Sequence, residues 1–268
     1  MRHLSLLLAC LLLAACILPA SGTADAAGTI YCPNCGRAIS SESRFCMYCG
    51  YQIPSSPYPS ASVSKGDVVR FGHYEQDNNF YNGAEAIEWL VLDVDADGSA
   101  LLLSSRILDA VAYNTVYTDM SWEYCSLRSW LNYDFYYAAF DTAERAQIVS
   151  ATIYNSRNDV YNVSGGRDTT DKIYLLSIGN LQYYLPSAYS RQTYATRYCQ
   201  EKLESMPGYD GVWWWLRTPG SNTYRAAGVY VDVQPNGTID YEGARVDHSY
   251  NGVRPAMWVK AAALEKVA

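Results

Sequence analysis

From about Lys65 to Val259 the chain alternates short apolar runs with turn residues, and no segment repeats. Ile87-Glu-Trp-Leu-Val-Leu-Asp-Val94 and Ala100-Leu-Leu-Leu-Ser104 flank Asp95-Ala-Asp97-Gly98, a pattern that predicts a hairpin buried in the core. Ser121 to Leu131 reads as a helix, with Ser121 as N-cap and Leu127, Trp130 and Leu131 on one face. Asp141-Thr-Ala-Glu144 has capping-box form and opens a second predicted helix through Ile148. A third covers Arg191–Leu203. The chain then returns to strands at Val212–Leu216, Val229–Val233, Thr238–Tyr241 and Val253–Val259, with Gln234-Pro-Asn-Gly237 turning between the middle two. Strands, helices and strands again, without regular β-α-β alternation, predict an α+β domain with a mainly antiparallel sheet over residues 65–268.

A different pattern precedes it. Arg2 and His3 lead into the apolar run Leu4–Leu18, so residues 1–27 read as an export signal, too short to span a bilayer comfortably. Leu13-Ala-Ala-Cys16 has the form of a lipobox, which would lipidate Cys16. Ala24-Asp-Ala26 competes as an ordinary cleavage site, and an uncleaved anchor is the third option. The expected place is extracytoplasmic, as an anchored lipoprotein or a secreted protein, touching membrane only through that signal or lipid. Residues 51–64 are rich in Pro and Ser and read as a semi-extended linker.

Between signal and linker, residues 28–50 hold Cys32-Pro-Asn-Cys35-Gly and Cys46-Met-Tyr-Cys49-Gly. Four soft thiolates in two Cys-x-x-Cys pairs match a closed tetrahedral zinc site, with no position left for an activated water. The expectation is one structural zinc on Cys32, Cys35, Cys46 and Cys49. Two disulfides are the alternative in an oxidising compartment. Cys125 and Cys199, in the larger domain, pair after export or stay buried and reduced.

Gly66-Asp-Val-Val-Arg-Phe-Gly72, Glu88-Trp-Leu-Val-Leu92, Leu127-Arg-Ser-Trp-Leu-Asn132, Asp171-Lys-Ile-Tyr-Leu-Leu-Ser177, Trp214-Trp-Leu-Arg-Thr-Pro-Gly220 and Val253-Arg-Pro-Ala-Met-Trp258 follow one another in order. As a set they resemble a bacterial family of domains of unknown function, met in exported and surface proteins and sometimes beside zinc ribbons. The Trp-Trp-Leu-Arg and Val-Arg-Pro-Ala layout also resembles the C-type-lectin-like fold, which includes the formylglycine-generating enzymes. Fold likeness does not confer activity. Gln234-Pro-Asn236 matches the first half of a lectin calcium motif, but no Trp-Asn-Asp follows. Cys125 and Cys199 lie too far apart in sequence for the oxidase cysteine pair, and only His73 and His248 lie beyond the signal to serve a hydrolase triad.

The remaining candidates are embedded charges and aromatics. Arg128, Arg217 and Arg254 sit in apolar sequence, where a buried guanidinium needs partners such as backbone carbonyls, Asp171 or Glu88. They read first as scaffold and second as a pocket for an anion or sugar. Strand alternation sets Trp214 opposite Trp213 and Trp215, so at least one ring is expected at the surface. A net charge of −7 disfavours nucleic acid, and 25 tyrosines suit a non-enzymatic module that binds a glycan or protein at the cell surface. The rival is an enzyme using acids such as Asp171 or Asp232.

Overall fold

The computed structural model describes residues 29–31, 35, 37–40, 43, 45–50, 63–205, 212–231 and 237–267. The signal, the Pro/Ser stretch over 51–62, and the Gln234-Pro-Asn turn lie outside the described residues. The chain divides into two compact units, Met1–Pro57 and Tyr58–Ala268.

In the first unit Thr29–Tyr31 pairs antiparallel with Ala38–Ser40, setting Ile30 opposite the buried Ile39. Cys46 to Cys49 then turns tightly. The Gly50 N–H donates to the Cys46 carbonyl at 2.9 Å, and Gly50 takes a φ of 69° that a side chain would resist.

The second unit is α+β, with mainly antiparallel sheets. In the larger sheet the order is Ile173–Tyr174, Ala256–Lys260, Ser99–Ser104, Glu85–Val94, Val68–Tyr74 and Glu265–Lys266, every pair antiparallel. The Asp95–Gly98 hairpin joins its two central strands. Ser99–Ser104 is buried along its whole length, as its unbroken apolar run implies. The second sheet runs Thr238–Arg245, Arg225–Val231, Val212–Pro219, Asn251–Val253 and Asp109–Ala110. Trp89, Trp122, Trp214 and Trp215 are fully buried in the core.

Four predicted elements end elsewhere. The first helix starts at Ser126 with Cys125 as N-cap, because Ser121 instead turns the chain by accepting the Tyr124 and Cys125 N–H groups. It runs on through a π-helical stretch, Leu131–Phe135, to Ala139. Asn132 in that stretch donates to the Ile173 carbonyl at 2.7 Å and accepts from the Lys172 N–H at 2.9 Å, tying the helix to a strand. The Asp141 capping box forms, yet its helix lasts only Thr142–Arg145, because Ile148–Val149 is recruited to pair with Trp258 and Val259. The helix expected over Arg191–Leu203 is broken: Ala188–Arg191 and Arg197–Glu204 flank a loop in which Thr193 and Thr196 donate to the Ser105 and Leu108 carbonyls. Val253–Val259 is two strands in two sheets, Asn251–Val253 and Ala256–Lys260, parted at Arg254-Pro255. Pro255 has no N–H for a ladder, so the chain changes sheet there.

Candidate functional site

In the first unit the sulfurs of Cys35, Cys46 and Cys49 lie within 4.8 Å of one another. Cys35 Sγ and Cys46 Sγ stand 3.6 Å apart. Sulfurs about 2.3 Å from one zinc would be separated by about 3.8 Å, the edge of the tetrahedron. A disulfide would close that gap to about 2.0 Å. The donor set is therefore consistent with a metal site. Cys32, the expected fourth ligand, and Cys16, the expected lipidation site, lie outside the described residues.

The three arginines are separated, and each pins something different. Arg128 binds Asp171, Nε to Oδ1 at 2.6 Å, and donates to the Glu123 and Thr170 carbonyls. Asp171 is 3% exposed and also accepts from Trp122 Nε1 at 2.9 Å and Thr169 Oγ1 at 2.7 Å. Arg217 has no carboxylate in contact; its guanidinium meets neutral oxygens of Asn155, Leu175, Asn180 and Tyr154. Burial draws its pKa down to about 10. Arg254 sits at the sheet crossing, donates from Nε to the Ser104 carbonyl at 2.8 Å, and lies 5.1 Å from the Trp214 ring centre. Burial alone lowers its pKa to about 9. Its Nη1 and Trp214 Nε1 are both buried without a hydrogen-bond partner. Glu88, named as a carboxylate partner for these arginines, instead faces the surface and meets Arg70 at 3.4 Å.

The tryptophans divide by burial. Trp214 and Trp215 are fully buried, and Trp215 Nε1 donates to the Val111 carbonyl at 3.0 Å. Trp213 is half-buried. Register places it between Tyr230 on one neighbouring strand and Asn251 on the other. The Trp213 and Tyr230 rings meet edge to face at 4.3 Å. One step along the same face, Gly228 lies between Trp215 and Asp240 and puts no side chain between them. The result is a hollow of about 240 Å³ lined by Trp213, Asp240, Glu242, His248, Tyr250 and Asn251, with Arg225 at its edge. Arg225 Nη1 lies 3.6 Å from Glu242. His248 and Tyr250 share a 3.3 Å hydrogen bond, and their rings stack at 4.6 Å. Asn251 is 2% exposed, and its amide nitrogen has no hydrogen-bond partner.

Sequence reasoning found Trp213 but missed Asp240, Glu242, Tyr250 and Asn251, which gather through strand register and the turn that leads into Asn251. A legible trace existed in Thr238-Ile-Asp-Tyr-Glu242, where polar residues alternate with apolar ones and share a face. Asp171, an earlier acid candidate, is committed to three donors, and Asp232 lies outside the described residues. Cys125 and Cys199 are buried free thiols, the first pushed up to about 12 by burial and the second also raised by burial. No helix among the described residues is long and apolar enough to cross a membrane.

Residues 97–261 match the model of a domain of unknown function (DUF6273), and residues 31–53 match that of a zinc-ribbon domain. No curated protein and no solved structure matches the chain, and the C-type-lectin-like layout is not confirmed.

Proposed function

We propose that this chain, which belongs to the DUF6273 family and carries a zinc-ribbon domain ahead of that region, is an exported module that binds a glycan at the bacterial cell surface. The Trp213 hollow carries the reading. A sugar ring offers an apolar C–H face to an aromatic plane and a rim of hydroxyls to carboxylates and amides. Trp213 and Tyr250 supply the first surface, and Asp240, Glu242 and Asn251 the second. Two carboxylates against one guanidinium leave the hollow with a negative balance, which suits a neutral sugar whose hydroxyls donate. The unpartnered Asn251 amide nitrogen gains an acceptor when a hydroxyl arrives.

The other parts of the proposal set this site in place. Zinc held by Cys32, Cys35, Cys46 and Cys49 is structural, because four thiolates close the tetrahedron. The signal delivers the chain outside the cytoplasm, either on a lipid at Cys16 or free. The acidic balance of the whole chain keeps nucleic acid away.

A glycan array probed with the full mature chain tests this, followed by titration of the best neutral oligosaccharide against wild type and Trp213→Ala. The expected result is binding that weakens at least tenfold, about 1.4 kcal/mol, in the variant while its thermal unfolding is little changed. Binding confined to proteins, or indifferent to Trp213→Ala, contradicts the proposal.

A further inference from the structure

Arg217 reaches a second cavity that shares no lining residue with the Trp213 hollow. It encloses about 380 Å³, enough for one sugar- or amino-acid-sized group. Its walls come from the larger sheet, the Ala151–Ile153 ribbon and the start of the Ile178–Tyr184 helix. Tyr154, Tyr174, Tyr184 and Trp258 line it together with Asn180 and Arg217.

The charge balance is unusual. No Asp or Glu lines this cavity. Arg217 is 4% exposed and makes four hydrogen bonds: Nε to Asn155 Oδ1 at 3.1 Å, Nη1 to the Leu175 carbonyl and to Asn180 Oδ1 at 2.7 Å each, and Nη2 to the Tyr154 carbonyl at 3.1 Å. All four acceptors are neutral. Asp171 is neutralised by Arg128, and Asp168 is exposed and accepts from the Asn155 N–H. At the Tyr184 side, Asp93 accepts from the phenol at 3.3 Å, while Lys65 Nζ stands 5.7 Å from the ring centre. These two rim charges offset each other. A positive charge buried without a countercharge is costly, and an anion arriving in the cavity removes that cost.

We infer that this cavity is a binding site for a small organic carboxylate, the carboxylate facing Arg217 and the carbon skeleton packing on Tyr174, Tyr184 and Trp258. Four hydrogen bonds leave a guanidinium with five N–H groups one donor to offer. One donor and one unit of charge match a monoanionic carboxylate better than a phosphate dianion. Uronic acids and amino acids both present that group beside a body of this size. The site is independent of the neutral-sugar hollow, whose balance is negative.

Calorimetric titration of the full chain with sodium glucuronate, glucose, glycine and inorganic phosphate tests this. Saturable glucuronate binding at least tenfold tighter than glucose is expected, and competition by glycine would widen the class to amino acids. Two variants report on the site. Arg217→Met erases the preference for glucuronate over glucose. Gly179→Leu puts bulk at the cavity wall, at a position where an added Cβ meets Ser177 Oγ no closer than 3.8 Å, and it is expected to abolish glucuronate binding in a chain whose unfolding temperature is retained. Equal affinity for glucuronate and glucose, equal competition by phosphate, or unchanged binding in Gly179→Leu overturns the inference.

Discussion

Arg128 and Asp171 show what a single pair does in this domain. The carboxylate is buried, the guanidinium a quarter exposed, and the arginine also holds two carbonyls. Arg128→Ala would leave a buried carboxylate with two neutral donors, and urea unfolding is expected to show a loss of roughly 3–5 kcal/mol. Arg128→Lys recovers only part, because one ammonium cannot serve Asp171, Glu123 and Thr170 in the same plane. The exposed Arg70–Glu88 pair is the contrast: Arg70→Ala is expected to cost no more than about 1 kcal/mol. A loss as small in Arg128→Ala would contradict the assignment. At this scale the sequence was partly legible. A lone arginine among Leu and Trp announces that it is buried, and Asp171 was a nameable partner. Backbone carbonyls were expected as one option for Arg217 and Arg254, but which carbonyls and amides they would reach was not legible, because those acceptors come from segments far away in sequence.

Among elements, the strands followed from apolar runs, whereas the helices were misjudged wherever a distant strand or carbonyl competed for the same backbone. Ile148 has helical spacing from Asp141, yet pairing with Val259 places it in a sheet. The loop 192–196 gives up helical hydrogen bonds to reach Ser105 and Leu108. Such choices rest on contacts far apart in sequence. The cysteine knuckle is the opposite case: its spacing predicts four ligands, and the described Cys35, Cys46 and Cys49 do stand together. The purified full chain is expected to carry one zinc, to lose it in Cys46→Ser, and to release it to a strong chelator with loss of ribbon signals. Two disulfides and no metal in the same preparation would refute this.

For the whole molecule, the core is rich in groups that titrate in alkali. Burial raises Tyr74, Tyr113, Tyr174 and Cys199, with Asp109 adding to the shift at Tyr74 and Cys199. Burial also lifts Tyr184 and Cys125 to about 12. Each raised group contributes stability that is complete below its unfolded value, about 8.5 for a thiol and 10 for a phenol, and is lost as pH climbs through the folded value. Arg217 and Arg254, lowered to about 10 and about 9, act with the opposite sign above those values but are outnumbered. Urea midpoints should therefore fall between about pH 8 and about pH 10.5; an equal or higher midpoint at the upper pH contradicts this. The central claim, that an aromatic hollow on the second sheet receives a glycan, is tested most directly by fluorine NMR of the full chain labelled with 5-fluorotryptophan. Its seven tryptophans, assigned by Trp→Phe variants, report on separate places. Adding the neutral oligosaccharide selected on the array is expected to move the Trp213 line saturably and leave buried Trp89, Trp122, Trp214 and Trp215 in place. A Trp213 line that stays still while the oligosaccharide binds would contradict the account.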